Sequence, residues 1–207
     1  MYQFARGWLL KVPIGYYLRG VAFNGSWSSR EAYQIERCVY PLFESTQNAH
    51  ISWGRGYAAP GKASHDWNIF HPQFAEKLIE VIEQEIIPST AHIQTGADFL
   101  HYLNTNYTSH GWPDWGKAQA YVHMGELDTA RDLLIPLAGT IRSRFPQLQE
   151  PNSWGHNLLE LLRLIEEDRD AIPAHCEAVA RKSVAACKLE KFWEPTPFVY
   201  DARRSKV

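Results

Sequence analysis

The period of the apolar residues changes once along this chain, near Pro72, and that change limits the folds open to it. Before Pro72 the apolar residues come in short runs rich in β-branched and aromatic side chains: "GWLLKV" (7–12), "YYLRGVAF" (16–23), "AYQIERCVY" (32–40) and "HISW" (50–53). Such runs, bounded by turn residues, read as β-strands. The connections between them are short, which favours an antiparallel meander with 16–23 pairing with 32–40. "DWNIF" (66–70) fits one more strand, with Trp67 and Ile69 on one face.

After Pro72 the spacing becomes helical. "PQFAEKLIEVIEQEII" puts Phe74, Leu78, Val81, Ile82 and Ile86 on one face, with Glu76, Glu80 and Glu83 opposite as a solvated face. Pro88 is expected to end this helix. A second helix is expected over about 89–103. A third runs from a cap at Asp114 to Met124, and Gly125 breaks it. A fourth begins at Leu127. Asn152-Ser153 caps another, with Leu158, Leu161, Leu162 and Ile165 inward. Pro173 opens a last one, expected to run to about Phe192. The resulting fold class is α+β: an antiparallel sheet region over 1–71 and a helical region over 72–207 packed on it, as one continuous structural unit. The chain has 207 residues, of which 45% are hydrophobic. A chain of this size buries roughly 70% of its unfolded surface.

Ala118, Tyr121, Gly125, Leu127, Ala130 and Leu134 have the spacing of two closely packed helices joined by a sharp glycine turn, as in one tetratricopeptide unit. The order "YYLRGVAF", "VYPLF", "SWG", a helix ending "EIIP" and the hairpin "YVHMGELDTARDLL" resembles a group of uncharacterised bacterial proteins that join a small sheet domain to a tetratricopeptide-like helical end. The resemblance covers about 140 residues. It implies this architecture and a bacterial source, and it brings no activity with it.

Charge and composition exclude several functions. The formal charge is −2, and the basic footprint that nucleic-acid binding needs is missing apart from Arg203-Arg204-Ser205-Lys206. The apolar run in "MYQFARGWLLKVP" is too short for a signal peptide or a membrane span, so no membrane association is expected and the expected location is cytoplasmic. Cys38, Cys176 and Cys187 are an odd, sparse set that makes no disulfide framework. They read as reduced, small hydrophobes.

One stretch invites a chemical reading: "GRGYAAPGKASHDW", 54–67. It holds Gly56-x4-Gly61-Lys62, close to a phosphate-binding loop. The residue after Lys62 is Ala63, however, where a magnesium-binding hydroxyl is needed, and "SHDWNIFHP" beyond it reads as loop and strand instead of a helix. The expectation is a hairpin loop between a strand ending at Trp53 and one starting near Asp66. In it Gly54, Gly56 and Gly61 take unusual backbone angles, and Trp53 and Trp67 point into the core. Arg55, His65 and Asp66 lie at its rim and are candidate ligand contacts, because they bring opposite charges and a titratable imidazole together. The loop "YTSHGWPDWG" (107–116) adds His110 and Trp112 as candidate ligand or partner contacts. The alternative there is that Trp112 and Trp115 seal a helix junction. Glu36 and Arg37, adjacent in mid-strand, read as a structural ion pair.

No two of the nine histidines are four residues apart, and no finger-type cysteine pair or nucleophile elbow occurs. No metal and no cofactor are expected. The leading functional expectation is a non-catalytic protein-interaction protein with a protein partner. The alternative is a small-molecule or metal-dependent hydrolase built around the His65-Asp66 loop. A deep cleft with converging polar groups favours the second, and a broad apolar groove the first.

Overall fold

The computed structural model describes residues 1–26, 30–44, 53–59, 65–106, 112–196 and 198. The sheet comes first, as the period of the sequence requires. Its strands are β1 (Tyr2–Ala5), β2 (Trp8–Lys11), β3 (Tyr17–Gly25), β4 (Ala32–Pro41), β5 (Arg55–Gly56) and β6 (Asp66–Asn68). All pairings are antiparallel, in the order β1-β2-β3-β4-β5, with β6 also on β4. The long central pair runs from Tyr17 opposite Pro41 to Gly25 opposite Tyr33, so the expected pairing of 16–23 with 32–40 is present. The expected strand set lacks β1. It is joined to β2 by Arg6 and Gly7, both at positive φ (54° and 81°). Two successive positive φ angles match the tight hairpin turn whose twist suits paired strands.

The helices come after it: α1 (Phe74–Val81), a π-helical segment (Ile82–Ile86), α2 (Ile87–Thr90), α3 (Gly96–Thr105), α4 (Pro113–Met124), α5 (Leu127–Arg144), α6 (Trp154–Glu167) and α7 (Ile172–Cys187). Four expected boundaries are corrected. Asp114 does not cap α4 but lies in its first turn, with Trp112 at the cap position. Pro88 does not end the first helix; the backbone widens to π geometry just before it, and Pro88 falls in the first turn of α2. A missing N–H costs little in a first turn, and π segments absorb such local misfits. Next, 89–103 is not one helix. Thr95 opens α3 with a capping box, its hydroxyl accepting from the Asp98 N–H while the Asp98 carboxylate accepts from the Thr95 N–H. Finally, α7 stops at Cys187 because Lys188 adopts the left-handed conformation (φ 55°, ψ 46°). Gly125, also left-handed (φ 78°), ends α4 and turns the chain into α5, as expected.

Two apolar clusters hold the layers together. Val21, Ile35, Tyr57, Trp67 and Ile86 form the smaller one, closed by Phe74, Leu78, Val81 and Ile82, so the first helical segment lies on the sheet through the face read from its spacing. The larger cluster joins Leu10, Leu18, Ala22, Cys38 and Tyr40 of the sheet to residues of α3 through α7, including Ala118, Ala130, Leu134, Leu158, Leu161 and Leu162. Polar bridges fix the same junction. Trp53 Nε1 donates to Glu44 Oε2 at 2.9 Å, and the Tyr102 hydroxyl donates to the Trp53 carbonyl at 2.7 Å. Asn157 Nδ2 donates to the carbonyls of Phe43 and Glu44 at 2.6 and 2.9 Å. Gly116 permits this packing: a Cβ there would lie 2.7 Å from the Trp53 ring.

Candidate functional site

β4 is the strand on which the site is built. It binds β5 through Glu36–Gly56 and Arg37–Arg55, and β6 through Gln34–Asp66 and Tyr33–Trp67. Both ends of the "GRGYAAPGKASHDW" stretch are therefore laid along one neighbour. β5 and β6 each pair with β4 rather than with each other, and residues 50–52 of the expected strand ending at Trp53 lie outside the described residues. Trp53 and Trp67 are buried, as expected. Gly54 and Gly56 do not take positive φ, contrary to expectation. What Gly56 provides is room: a Cβ there would lie 3.2 Å from the His65 ring, which covers it. Residues 60–64, including Gly61 and Lys62, lie outside the described residues.

Alternation along β4 places Gln34 and Glu36 on one face and Ile35 and Arg37 on the other. Glu36 and Arg37 therefore do not form the expected ion pair. Glu36 Oε2 accepts from Asn24 Nδ2 at 3.0 Å. Arg37, buried, donates to Asn106 Oδ1 at 3.0 Å and stacks over the Tyr102 ring at 5.1 Å. Glu36 instead faces an open cleft of about 830 Å³ at the sheet edge, shared with Gln34, Arg55, Tyr57, His65 and Glu85. Partial burial raises the Glu36 carboxyl above its ordinary pKa, and the neighbouring His65 and the Asn24 hydrogen bond oppose that rise. Burial likewise raises the Tyr57 phenol.

Two of the expected contacts, Arg55 and His65, line this cleft. Asp66 stands beside it, held by Gln34 Nε2 at 3.3 Å. His110 lies outside the described residues. Trp112 is elsewhere: its ring packs on Phe145 (5.5 Å) and Trp154 (5.3 Å), and Trp115 packs on Trp154 (6.3 Å), which is the helix-junction seal. Glu36, which the sequence reading takes as structural, and Glu85, which it does not single out, are further site residues. The signal for Glu36 is a carboxylate in mid-strand. Glu85 reads as one more solvated acid until the helix is laid on the sheet.

The arrangement supplies a carboxyl with an elevated pKa, an imidazole, a guanidinium and a second carboxylate around one opening. That set can bind a polar molecule and move a proton. Among the described residues, no three His, Cys, Asp or Glu side chains converge as a metal site. Two of the thiols are poor nucleophiles: burial pushes Cys176 up to about 12 and Cys38 higher still. No helix among the described residues is long and apolar enough to cross a membrane. In comparisons with known proteins, no family model, curated protein or solved structure matches this chain.

Proposed function

We propose that the chain binds a small polar molecule in the cleft between β4–β5 and the first helical segment, and acts on it by acid–base hydrolysis. The observation that carries this is the convergence of Glu36 and His65 beside Gly56, on an opening large enough for a metabolite-sized ligand. Glu36, whose pKa is raised by partial burial, is suited to hold or deliver a proton. His65 is suited to take one from water, and Arg55 to hold an anionic group of the substrate. Amide-resolved NMR with a fragment library tests the binding, and shifts are expected at Glu36, Gly56, Tyr57 and His65. A panel of chromogenic esters, amides, phosphoesters and glycosides tests the chemistry. One class should turn over, and Glu36→Gln or His65→Ala should slow it by about 10²-fold or more. Fragment shifts confined to the helices, or turnover indifferent to both substitutions, would refute the proposal.

A protein-interaction role is the second reading. The neighbouring Ile69 and Phe70, 38% and 71% exposed in the turn after β6, favour it. The hairpin α4–α5, which suggested a tetratricopeptide-like docking unit, buries Ala118, Ala130 and Leu134 in the shared core. A partner would therefore meet the Phe70 turn. Phe70→Glu should abolish association with a partner if this reading holds, and should leave the cleft chemistry unchanged.

A further inference from the structure

The second cavity lies across the sheet, away from the Glu36–His65 cleft. It has a volume of about 510 Å³, and Lys11, Arg19, Gln94, Glu194 and Thr196 are among the residues lining it. Arg19 is 5% exposed. Its Nη1 donates to the Tyr17 carbonyl at 3.0 Å, and its Nε is buried with no hydrogen-bond partner. Among the described residues no carboxylate forms an ion pair with it. The Tyr2 phenol and, less strongly, the Asp98 carboxylate act on it, and that carboxylate caps α3, accepting from the N–H groups of Gln94 and Thr95 and from the Thr95 hydroxyl at 2.9–3.0 Å. Glu194 lines the cavity but forms no ion pair with Arg19 or Lys11.

The cavity lining adds a second cation. Lys11 and Arg19 line the same opening, each one residue along its strand from the Leu10–Gly20 pair, while Tyr2 pairs with Lys11 on the other side. Lys11 Nζ lies 5.4 Å from the centre of the Tyr2 ring, whose hydroxyl is buried without a partner. Like charges placed side by side on one sheet face repel, and a buried guanidinium without an anion is costly. Burial lowers the pKa of Arg19, and the Tyr2 phenol and Asp98 carboxylate oppose that shift without cancelling it.

We infer that this cavity is a binding site for a small oxyanion, a carboxylate or phosphoryl group, held by Arg19 and Lys11 with the Gln94 amide and Thr196 hydroxyl as further donors. A planar guanidinium with free N–H groups beside an ammonium suits either anion, since both present two oxygens to the fork. The site does not depend on the hydrolytic reading of the other cleft.

Amide-resolved NMR titration of the full chain at low ionic strength tests it, with sodium phosphate and sodium acetate as separate probes and sodium chloride as the control. Saturable shifts at Lys11, Gly15, Arg19 and Gln94 are expected with at least one oxyanion and not with chloride. Phosphate alone would mark a phosphoryl ligand, acetate alone a carboxylate, and both a general oxyanion site. Lys11→Met, at a partly exposed position, should weaken binding roughly tenfold or more, the worth of one charge-assisted hydrogen bond. Arg19→Lys keeps the charge but loses the fork, and should weaken binding as well. Affinity poorer than about 10 mM for both probes, or shifts unchanged in both variants, would overturn the inference.

Discussion

At the scale of single residues, two titratable groups give stability opposite pH dependences. His123 is buried against Tyr17, whose hydroxyl lies 2.9 Å from its Nδ1, and burial lowers its pKa from 6.5 to about 4. The unfolded chain therefore takes up a proton that the folded chain refuses. The stability contributed above about pH 6.5 is lost as the pH falls through 4, and amounts to about 3 kcal/mol. Urea unfolding at pH 7 and pH 4 should show this loss, and His123→Gln should flatten it. Glu36 has the reverse sign. Its raised pKa favours the folded state in acid, and that contribution is lost as pH rises through the raised value. Glu36→Gln should therefore melt higher than the parent chain at pH 8, with the difference vanishing below about pH 4.

At the scale of elements, the α4–α5 contact and the α4–Trp53 contact both leave little room for added volume. Ala130 is fully buried between helices, so Ala130→Phe should cost about 1–3 kcal/mol by overpacking, read from the urea midpoint. Gly116→Ala should destabilise by a similar amount and shift the Trp53 fluorescence, because the added methyl meets the indole ring. Both helices are legible in the chain, since the spacing of Ala118, Ala130 and Leu134 and the break at Gly125 are local signals. So is the face of α1, because five apolar residues at helical spacing leave one way to bury them. The π segment is not legible, since it depends on how the backbone accommodates Pro88. β1 escapes the sequence reading because its signal is a backbone conformation at Arg6-Gly7. The cleft is half legible. Arg55 and His65 stand out by type and proximity, whereas Glu36 and Glu85 join them only through register and helix placement.

At the scale of the whole molecule, the sheet and α3 through α7 share one apolar cluster, tied by hydrogen bonds from Asn157, Trp53 and Tyr102. Neither part keeps a complete core without the other. Thermal unfolding should therefore be a single cooperative transition, with tryptophan fluorescence and far-ultraviolet dichroism giving coincident midpoints. Midpoints several degrees apart would mean that the sheet and the helices unfold separately. The two cavities lie on this shared frame, one at the β4–β5 edge and one beside β2–β3.

The central claim is that Glu36 and His65 form one electrostatic site, and titration of the Glu36 side-chain carboxyl by carbon-13 NMR tests it most directly. The carboxyl should titrate above the ordinary glutamate range, and His65→Ala should raise it further, because the His65 influence that favours the carboxylate is gone. A Glu36 that titrates at the ordinary value, unmoved by His65→Ala, would contradict the claim.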